Sequence, residues 1–569
     1  MTTGLTGRRW IVLEEKNKTP DFLVEKYGHV LAQLIYNRKE LFNNNFDEDT
    51  IYPSLKKLLD PQLFKDLDTI SFKLADLIKK RKKIAIYGDY DADGVTSTAL
   101  LVNFFRDIGV DVKYYIPSRF YEGYGLNKTA IRKISQVADV LIVVDSGTNA
   151  YDELLYARKL GLEVFVLDHH EPSDSYKKTE DILILNPKLY KDINPLFKHL
   201  ASVGISFYLL IMLRKLLKFE IKLKPYLDIV AIGTVADVVP LSLINRIFVK
   251  KGAQEINKRK RPGIKALLES ISLDNVSSFE IGFNIAPRLN AAGRLDDAKK
   301  AVKLLITRNE SIGKALSEEL EFLNRKRQKL TEHTFKETQN KLKKEKNINS
   351  IVVADEKWHP GIVGIVAGRL VEKYKVPAVV LSIKNGRAVG SARSTPSINL
   401  FEIMEKHSYL FERFGGHSQA AGLTIPTKNI SELKNLLSKA VAQLSGEETQ
   451  SFLEVDMEVP LSYWNVEKVK QLKILEPFGE GNPSPLFVAR GLRISDFVTV
   501  GQTNQHLKFW LKDMEKNAFS ALWWNYADKI KELSVGMFVD IVYTPKISSW
   551  NGQTNIDFII KDIAVADMR

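Results

Sequence analysis

Short apolar runs alternate with polar, helix-like stretches between about Ile70 and Ile247. Apolar runs of this length, bounded by polar turns, are typical of buried parallel strands. Their alternation with helical stretches predicts a mostly parallel sheet with helices on both faces. The predicted strands are Lys83–Tyr87, Val140–Val144, Val164–Leu167 and Ile229–Ala236.

A long charged segment follows this first α/β pattern. From about Asp296 to Asn347 no proline interrupts the chain, and apolar residues such as Leu316, Leu320 and Leu323 recur at helical spacing. This pattern predicts one long connecting helix. A second α/β unit is predicted to begin with the strand Ser350–Ala354.

The last part of the chain has short alternating runs separated by Gly, Asn and Pro turns. About five or six short antiparallel strands predict a small β-barrel, of which the OB-fold is one type. The predicted fold is therefore two α/β domains joined by a long helix, plus a C-terminal β-barrel. The predicted boundaries are an N-terminal adaptor at 1–65, a catalytic α/β domain at 66–250, a helical region at 251–347, a second α/β domain at 348–445 and the barrel at 446–569.

Composition narrows the function. The 569 residues include no cysteine, which excludes disulfides, thiolate zinc sites and thiol catalysis. The formal net charge of +14 favours a polyanionic partner such as nucleic acid. No P-loop motif occurs, which argues against an ATP-driven motor. The first residues lack an apolar signal sequence, and the longest apolar run, Leu200–Leu213, suits a core helix better than a membrane span. We therefore expect a cytoplasmic protein that does not bind membranes.

Acidic residues and histidines follow the predicted strands. Because chemistry gathers at the carboxyl ends of parallel strands, we expect these groups to meet at one place. So many like charges need a counter-charge, and oxygen ligands with an imidazole suit Mn²⁺ or Mg²⁺ better than zinc. The groups are Asp89, Asp91 and Asp93 after the first run, Asp145 after the second, Asp168, His169 and His170 after the third, and Asp237 after the fourth.

Two other interpretations of the Asp-x-Asp-x-Asp string are a calcium loop and a solvated turn. Gly94 fits position 6 of a calcium loop that begins at Asp89, but position 12 is Leu100 instead of glutamate. The adjacent His169 and His170 are able to diverge after a strand. One imidazole can then bind a metal while the other faces a phosphate.

These strings resemble the successive motifs of the DHH phosphoesterase superfamily and its DHHA1 partner domain. The resemblance rests on 88–94 (GDYDADG), 145–147 (DSG), 168–170 (DHH), 233–240 (GTVADVVP), 390–394 (GSARS) and 414–422 (FGGHSQAAG). Three further stretches, at 287–296, 358–367 and 477–483, are similar to the single-strand-specific 5′→3′ DNA exonucleases of that superfamily.

The resemblance implies two divalent ions, Mn²⁺ or Mg²⁺, and a set of ligands. Asp145 would bridge the ions, Asp89 would lie close by, and His170 would contact the scissile phosphate. Tyr87 stands where some relatives have a metal-binding histidine. The implied ligands are Asp91, Asp93, Asp145, His169 and Asp237.

Substrate contacts are predicted at a second set of positions. Arginine can grip phosphates through two parallel hydrogen bonds, although salt bridges to local carboxylates are the alternative. Gly416 would let the backbone approach a nucleotide closely beside His417. Ser391 and Arg393 are the candidates for binding a terminal 5′ phosphate. The other candidate arginines are Arg119, Arg288 and Arg294. Aromatic residues of the barrel are candidates for stacking on bases: Trp510, Trp523, Trp524, Tyr526 and Trp550.

The residues alone predict metal-dependent phosphoester hydrolysis on a polyanion. The resemblance implies an exonuclease that releases mononucleotides from the 5′ end of single-stranded DNA. The resemblance places it in recombination and repair, where a helicase and a single-strand-binding protein would be partners, and a monomer is expected. One alternative is a phosphoesterase for short oligoribonucleotides, cyclic dinucleotides or pyrophosphate. Another is a non-catalytic DNA-binding scaffold that keeps the fold.

Overall fold

An N-terminal segment lies against the C-terminal barrel in this computed structural model, which describes residues 2–14, 18–123, 125–173, 176, 181–343, 348–443, 451–501, 503–550 and 553–566. Strand β1 pairs in parallel with Phe452–Val455, and the buried side of the first two helices joins the barrel core. The predicted adaptor therefore packs against the far end of the chain. Its elements are β1 (Arg9–Val12), α1 (Asp21–Tyr27), α2 (His29–Asn37) and α3 (Glu48–Ile51).

A five-stranded parallel sheet forms the first α/β domain, with the strand order β3-β2-β4-β5-β6. Every residue of β2 and β4 is buried, because separate apolar cores cover the two faces of the sheet. The elements are α4 (Leu67–Lys79), β2 (Ile84–Gly88), α5 (Ala92–Asp107), β3 (Val112–Tyr115), α6 (Lys128–Ser135), β4 (Val140–Val144), α7 (Tyr151–Lys159), β5 (Glu163–Leu167) and β6 (Leu183–Leu185).

The apolar run before Asp237 is a helix, so the prediction of a strand at Ile229–Ala236 was wrong. Helix α10 spans Leu227–Ala236, and its residues up to Thr234 are buried on all sides. A uniformly apolar run has no periodicity that separates a strand from a buried helix. The neighbouring helices are α8 (Pro195–Lys198), α9 (Ser202–Leu217) and α11 (Leu243–Ile256).

The helical region ends in the predicted long helix, α16 (Glu310–Leu342). The helix begins later than expected, because residues 307–309 are not helical and separate it from α15. Asn309 caps its start by accepting a hydrogen bond from the Ile312 amide at 3.0 Å. A π-helical turn at Ile281–Ile285 precedes α14. The other helices are α12 (Pro262–Ser270), α13 (Ser278–Glu280), α14 (Ala286–Leu295) and α15 (Lys299–Ile306).

The second α/β domain is a mixed sheet with the strand order β10-β11-β9-β8-β7, in which only β7 and β8 are parallel. Helix α17 packs on β8 and β9 and begins beside the end of β9. The elements are β7 (Ile351–Asp355), α17 (Val363–Tyr374), β8 (Ala378–Lys384), β9 (Arg387–Arg393), α18 (Leu400–Lys406), β10 (Arg413–His417), β11 (Ala420–Pro426) and α19 (Ile430–Ala442).

The C-terminal strands β14-β15-β16-β18-β17 are paired in this order. They close into a barrel because β14, at one end, also pairs with β17, at the other. The predicted barrel is confirmed, but its first predicted strand, β12, pairs with β1 outside it. No helix among the described residues is long and apolar enough to cross a membrane. The elements are β12 (Phe452–Val455), β13 (Met457–Glu458), α20 (Val466–Gln471), β14 (Phe487–Val500), β15 (His506–Lys512), β16 (Ala518–Trp523), β17 (Phe538–Trp550) and β18 (Gln553–Val565).

Candidate active site

Three neighbouring strands deliver acidic residues and a histidine to one edge of the parallel sheet. Asp89 follows β2, Asp145 follows β4, and the Asp168–His170 string follows β5. Asp91 caps the start of α5, where its Oδ1 accepts hydrogen bonds from the amides of Asp93 at 3.0 Å and Gly94 at 3.2 Å. The strand ends and the start of this helix therefore place the carboxylates around one centre.

His169 lies at the middle of this centre. Its Nε2 is 3.3 Å from Asp145 Oδ1, 3.5 Å from Asp237 Oδ2 and 3.8 Å from Asp93 Oδ2. Asp89, Asp91 and Asp145 form an adjoining group whose carboxylate oxygens lie within 4.8 Å of one another. The structure thus brings together the five implied ligands and Asp89, and Asp145 belongs both to the group around His169 and to the adjoining group.

The centre is buried and crowded with negative charge. Burial, followed by the charge of Asp91, raises the pKa of Asp89 and Asp145 well above the ordinary aspartate range. Burial and Asp93 do the same for Asp237. Burial and Asp91 raise the pKa of Asp93 to about 7, although this carboxylate accepts hydrogen bonds from the amides at the start of α9. These carboxylates need a cation to stay ionised together.

The ligand atoms fit a divalent cation. Asp89 Oδ1, His169 Nε2 and Asp237 Oδ2 are buried and make no hydrogen bond with any described residue. Such atoms are costly to bury unless a partner is supplied. Burial also lowers the pKa of His169 to about 4, so its imidazole is neutral, the form that binds metals. Carboxylate oxygens with one imidazole match the preferences of Mn²⁺ and Mg²⁺.

The backbone is strained at two positions of this centre. Asp145 has a φ of +60° and Val238, directly after Asp237, has a φ of +57°. A β-branched residue at positive φ is rare, and such conformations cost about 1–3 kcal/mol each. The surrounding packing therefore holds both carboxylates in place against local preference.

Asp168 orients the second histidine instead of joining the carboxylate cluster. Its Oδ1 lies 2.7 Å from His170 Nδ1, and its Oδ2 accepts a hydrogen bond from the Thr148 amide at 2.9 Å. Burial would lower the pKa of His170, but the hydrogen bond and charge of Asp168 outweigh it and raise the pKa to about 9. His170 is therefore held as a positively charged imidazolium beside the centre.

Tyr87 points away from the cluster. Its hydroxyl donates to the Gly125 carbonyl at 2.9 Å and accepts from Asn127 at 3.2 Å. Burial raises its pKa far above that of free tyrosine, so it stays neutral. Tyr87 therefore contributes no ligand to the cluster.

Three of the predicted arginines converge on the cleft between the two α/β domains. Arg294 is half-buried on α14, and desolvation together with the charges of Arg119 and Arg327 lowers its pKa to about 10. The charge of Arg393 on β9 also lowers the pKa of Arg294. Arg119 lies over the Tyr90 ring, 5.4 Å from its centre. Mutually repelling guanidinium groups on one cleft are suited to an anionic ligand.

Ser391 and Arg393 form a small polar site at the end of β9. Arg393 Nη1 donates to Ser391 Oγ at 2.7 Å. A Cβ added to Gly364, in the first turn of α17, would lie 3.1 Å from Ser391 Oγ and 3.3 Å from Arg393 Nη2. The positive end of this helix therefore faces the same point as the arginine.

The remaining candidates are placed differently. Arg288 is not free for substrate, because its Nε forms an ion pair with Glu321 at 2.7 Å and its Nη1 donates to the Asn284 carbonyl at 2.6 Å. Gly416 has a φ of +149° in an exposed part of β10. The pKa of His417, beside it, is lowered first by burial and second by the charge of His170, which lies close by.

The barrel aromatics divide between core and surface. Trp510 and Trp524 are exposed, and Lys508 Nζ lies 5.4 Å from the Trp510 ring centre. Trp523 is fully buried and stacks on Tyr526, so it serves the core. The side chain of Trp550 lies outside the described residues.

Sequence reasoning missed two residues that shape the site. Asn290 Oδ1 accepts a hydrogen bond from the Ala92 amide at 2.9 Å, which ties α14 to the acidic string. Its place between Arg288 and Arg294 in one motif was the available signal. Arg327 approaches Arg294 from α16, and nothing in its charged helical surroundings marks it out.

Family models match most of the chain. They are described as the DHH family N-terminal domain at residues 83–234, the DHHA1 domain at 347–443 and the RecJ OB domain at 455–562. The single-stranded-DNA-specific exonuclease RecJ of Bacillus subtilis is 35% identical over 515 residues, which are 89% of this chain and 64% of that protein. The RecJ of Haemophilus influenzae is 31% identical over 95% of this chain and 97% of its own length.

Solved structures show the same likeness. A crystal structure of RecJ from Thermus thermophilus in complex with Mn²⁺ superimposes with a TM-score of 0.84 at 29% identity, covering 98% of this chain and 80% of that one. The Mg²⁺ complex from the same organism gives a TM-score of 0.79 at 28% identity, over 98% of this chain and 79% of that one.

Proposed function

Since the chain belongs to the RecJ family of single-stranded-DNA-specific exonucleases, we propose that it removes mononucleotides from the 5′ end of single-stranded DNA with two divalent ions. The observation that supports this most is the buried cluster around His169, whose carboxylates adjoin a cleft lined with arginines. A cation site beside a phosphate-binding surface is what phosphodiester hydrolysis requires.

Asp91, Asp93, Asp145, His169 and Asp237 would hold the ions, with Asp145 shared and Asp89 beside them. Bound there, Mn²⁺ or Mg²⁺ supplies the Lewis acid that activates the attacking water and neutralises charge on the phosphate. The protein positions these ligands: the amides at the start of α9 hold Asp93, and the Ser202 hydroxyl donates to Asp145.

His170 would stabilise the phosphate that is attacked. Asp168 fixes the orientation of its ring and favours the protonated form. An imidazolium next to the scissile phosphate donates a charge-assisted hydrogen bond to a phosphate oxygen as negative charge builds up there.

Ser391 and Arg393 would bind the terminal 5′ phosphate. Arg393 supplies charge, Ser391 a hydroxyl, and the first turn of α17 at Val363 and Gly364 its backbone amides. A pocket that accepts a terminal phosphate sets the number of nucleotides between that end and the ions. This placement would give the enzyme its 5′→3′ direction.

The test is a digestion of single-stranded oligonucleotides in Mn²⁺, with a 5′ label on one sample, a 3′ label on another, and a blunt duplex as control. We expect labelled mononucleotide to appear early from the 5′-labelled strand. The 3′-labelled strand should shorten gradually and the duplex should persist. Early release of mononucleotide from the 3′ label would contradict the proposed direction, and no digestion of any strand would contradict the proposed activity.

A further inference from the structure

A cavity of about 550 Å³ opens beside Asp237. Five parts of the chain line it: the end of α10 with the loop after it, the stretch from α13 through the π-helical turn to α14, helix α16, Ile365 in the first turn of α17, and the loop that leads into the barrel. This volume is in the range of small-ligand sites. The lining residues that matter here are Val238, Phe279, Phe283, Asn290, Arg294 and Arg327.

Two phenylalanines on one wall are exposed to solvent and stacked on each other. Phe279 is 55% and Phe283 69% exposed, and their ring centres lie 4.5 Å apart at an interplanar angle of 27°. Leaving two aromatic rings exposed to water is unfavourable, and a flat aromatic ligand stacked on them would bury their surface. Phe283 lies in the π-helical turn, a conformation found mostly at functional sites.

The aromatic wall is held in place from both sides. Ser277 and Glu280 form a capping box at the start of α13. Ser278 Oγ donates to the Phe478 carbonyl at 2.7 Å, which ties the same turn to the loop before the barrel. The two rings are therefore presented on a fixed platform and not on a mobile loop.

Two arginines, Arg294 and Arg327, also line the cavity and give it positive charge. Arg327 Nε is buried without a hydrogen bond to any described residue, although Nη2 donates to Asn324 at 2.9 Å. Burial and the charge of Arg288 lower the pKa of Arg327, and Arg294 lies close to it. On the barrel side, Glu476 is neutralised by Lys250 at 3.1 Å, while Glu480 lies at the rim. A cavity with an aromatic wall and two guanidinium groups suits a nucleotide.

The cavity adjoins the proposed catalytic centre. Val238 follows Asp237 directly, and Asn290 holds the amide of Ala92 in the acidic string. The cavity reaches from Ile365, next to the Gly364 that lies beside Ser391 and Arg393, to the loop before the barrel. A strand bound by its 5′ end at Arg393 and by its body at the barrel would pass this cavity after the ions.

We propose that this cavity binds a nucleotide on the 3′ side of the scissile phosphate, with its base stacked on the Phe279–Phe283 platform and its phosphate held between Arg294 and Arg327. The proposal rests on the function proposed above. It assigns the platform a sequence-independent role, because every base offers a stacking face.

The test is a fluorescence scan in the Asp145→Ala background, so that the strand is not degraded. A single-stranded oligonucleotide carries 2-aminopurine at one position at a time from the 5′ end, and stacking quenches its fluorescence. We expect quenching at a position near the 5′ end, its loss in the Phe279→Ala/Phe283→Ala protein, and affinity for the strand weaker by about 10-fold. The single Phe283→Tyr variant, which keeps both aromatic rings, should retain the quenching and the affinity.

Phe72→Ala is the matched control, because Phe72 is also exposed, at 59%, but lies on α4 outside the cavity. Unchanged quenching at every position and unchanged affinity in the double variant would overturn the proposal. If the protein with Asp145 intact still digests single strands in that case, the proposed function stands without this subsite. Failure of the Asp145-containing protein to digest any strand would instead overturn the proposed function.

Discussion

At the scale of single residues, the centre depends on groups that cannot replace one another. Asp145 belongs to both carboxylate groups and accepts a hydrogen bond from the Ser202 hydroxyl at 3.2 Å. Its backbone has a positive φ, which few residues other than glycine adopt. His169 and His170 are adjacent, yet burial keeps one neutral while Asp168 keeps the other protonated. Two identical side chains thereby take opposite roles, set by their surroundings.

Binding of Mn²⁺ should release protons near neutral pH. Burial and Asp91 raise the pKa of Asp93 to about 7 in the metal-free protein, whereas a ligating carboxylate must be ionised. Metal affinity should therefore fall as the pH drops below about 7. Calorimetric titration in buffers of different ionisation enthalpy measures the released protons. An affinity that stays constant between about pH 6 and about pH 8 would contradict this expectation.

Arg393→Ala should weaken recognition of the strand end more than the chemical step. We expect a rise in KM of about 10-fold for a 5′-phosphorylated strand and a much smaller change for a strand with a 5′ hydroxyl, because a charge-assisted contact is lost. Arg387→Ala is the control, since Arg387 lies on the same strand and pairs with Glu412 on the surface. Equal effects on both strands would rule out the assignment of Arg393 to the terminal phosphate.

At the scale of elements, the strands that carry the acidic residues could be predicted, but the helices around them less well. Each of β2, β4 and β5 is a short apolar run that ends at a charged motif, so pattern and chemistry agreed. Helix α10 is apolar on all sides, so its sequence shows no helical periodicity of apolar and polar residues. The partner of Arg288 is Glu321, a full helix later in the chain, and such a long-range pair leaves no mark in the local sequence.

Gly293→Ala should disturb the site by moving a whole helix. A Cβ at this position would lie 2.4 Å from the Tyr90 carbonyl oxygen, so α14 would have to shift away from the acidic string that Asn290 holds. We expect a loss of about 1–3 kcal/mol in the free energy of unfolding and a fall in hydrolysis rate. Chemical denaturation and the digestion assay measure the two effects.

Gly368→Ala, in α17, is the control for this substitution. Nothing lies within 4 Å of a Cβ at Gly368, and alanine favours helices over glycine, so stability should hold or rise. If Gly293→Ala were as harmless as Gly368→Ala, close contact between α14 and the acidic string would not matter for the site.

At the scale of the whole molecule, the two ends of the chain clamp the barrel to the catalytic domain. Arg38, directly after α2, forms a buried ion pair with Asp456 at 2.8 Å. Arg246 on α11 is fully buried and donates to the carbonyls of Thr50, Ile51 and Ile474 at 2.7–2.9 Å. The role of the adaptor could not be predicted from its local sequence, because each of these partners lies hundreds of residues away.

Arg246→Met should loosen this assembly. The substitution keeps the length of the side chain but leaves three buried carbonyl groups without their donor, so we expect a loss of about 2–4 kcal/mol in stability. Thermal unfolding and limited proteolysis should show earlier release of the N-terminal segment. Arg214→Met, at an exposed position of α9, should change neither measurement. Equal stability of the two variants would show that the clamp contributes little.

The most direct test of the account is a single-turnover digestion of a 5′-phosphorylated single strand in Mn²⁺ by the unmodified protein and by Asp145→Ala, with strand binding measured in parallel. Asp152→Ala, on the surface of α7, is the control. We expect Asp145→Ala to lower the rate by about 100-fold or more, because it removes a shared metal ligand, while binding stays largely intact. Near-normal turnover by Asp145→Ala would contradict the two-ion centre.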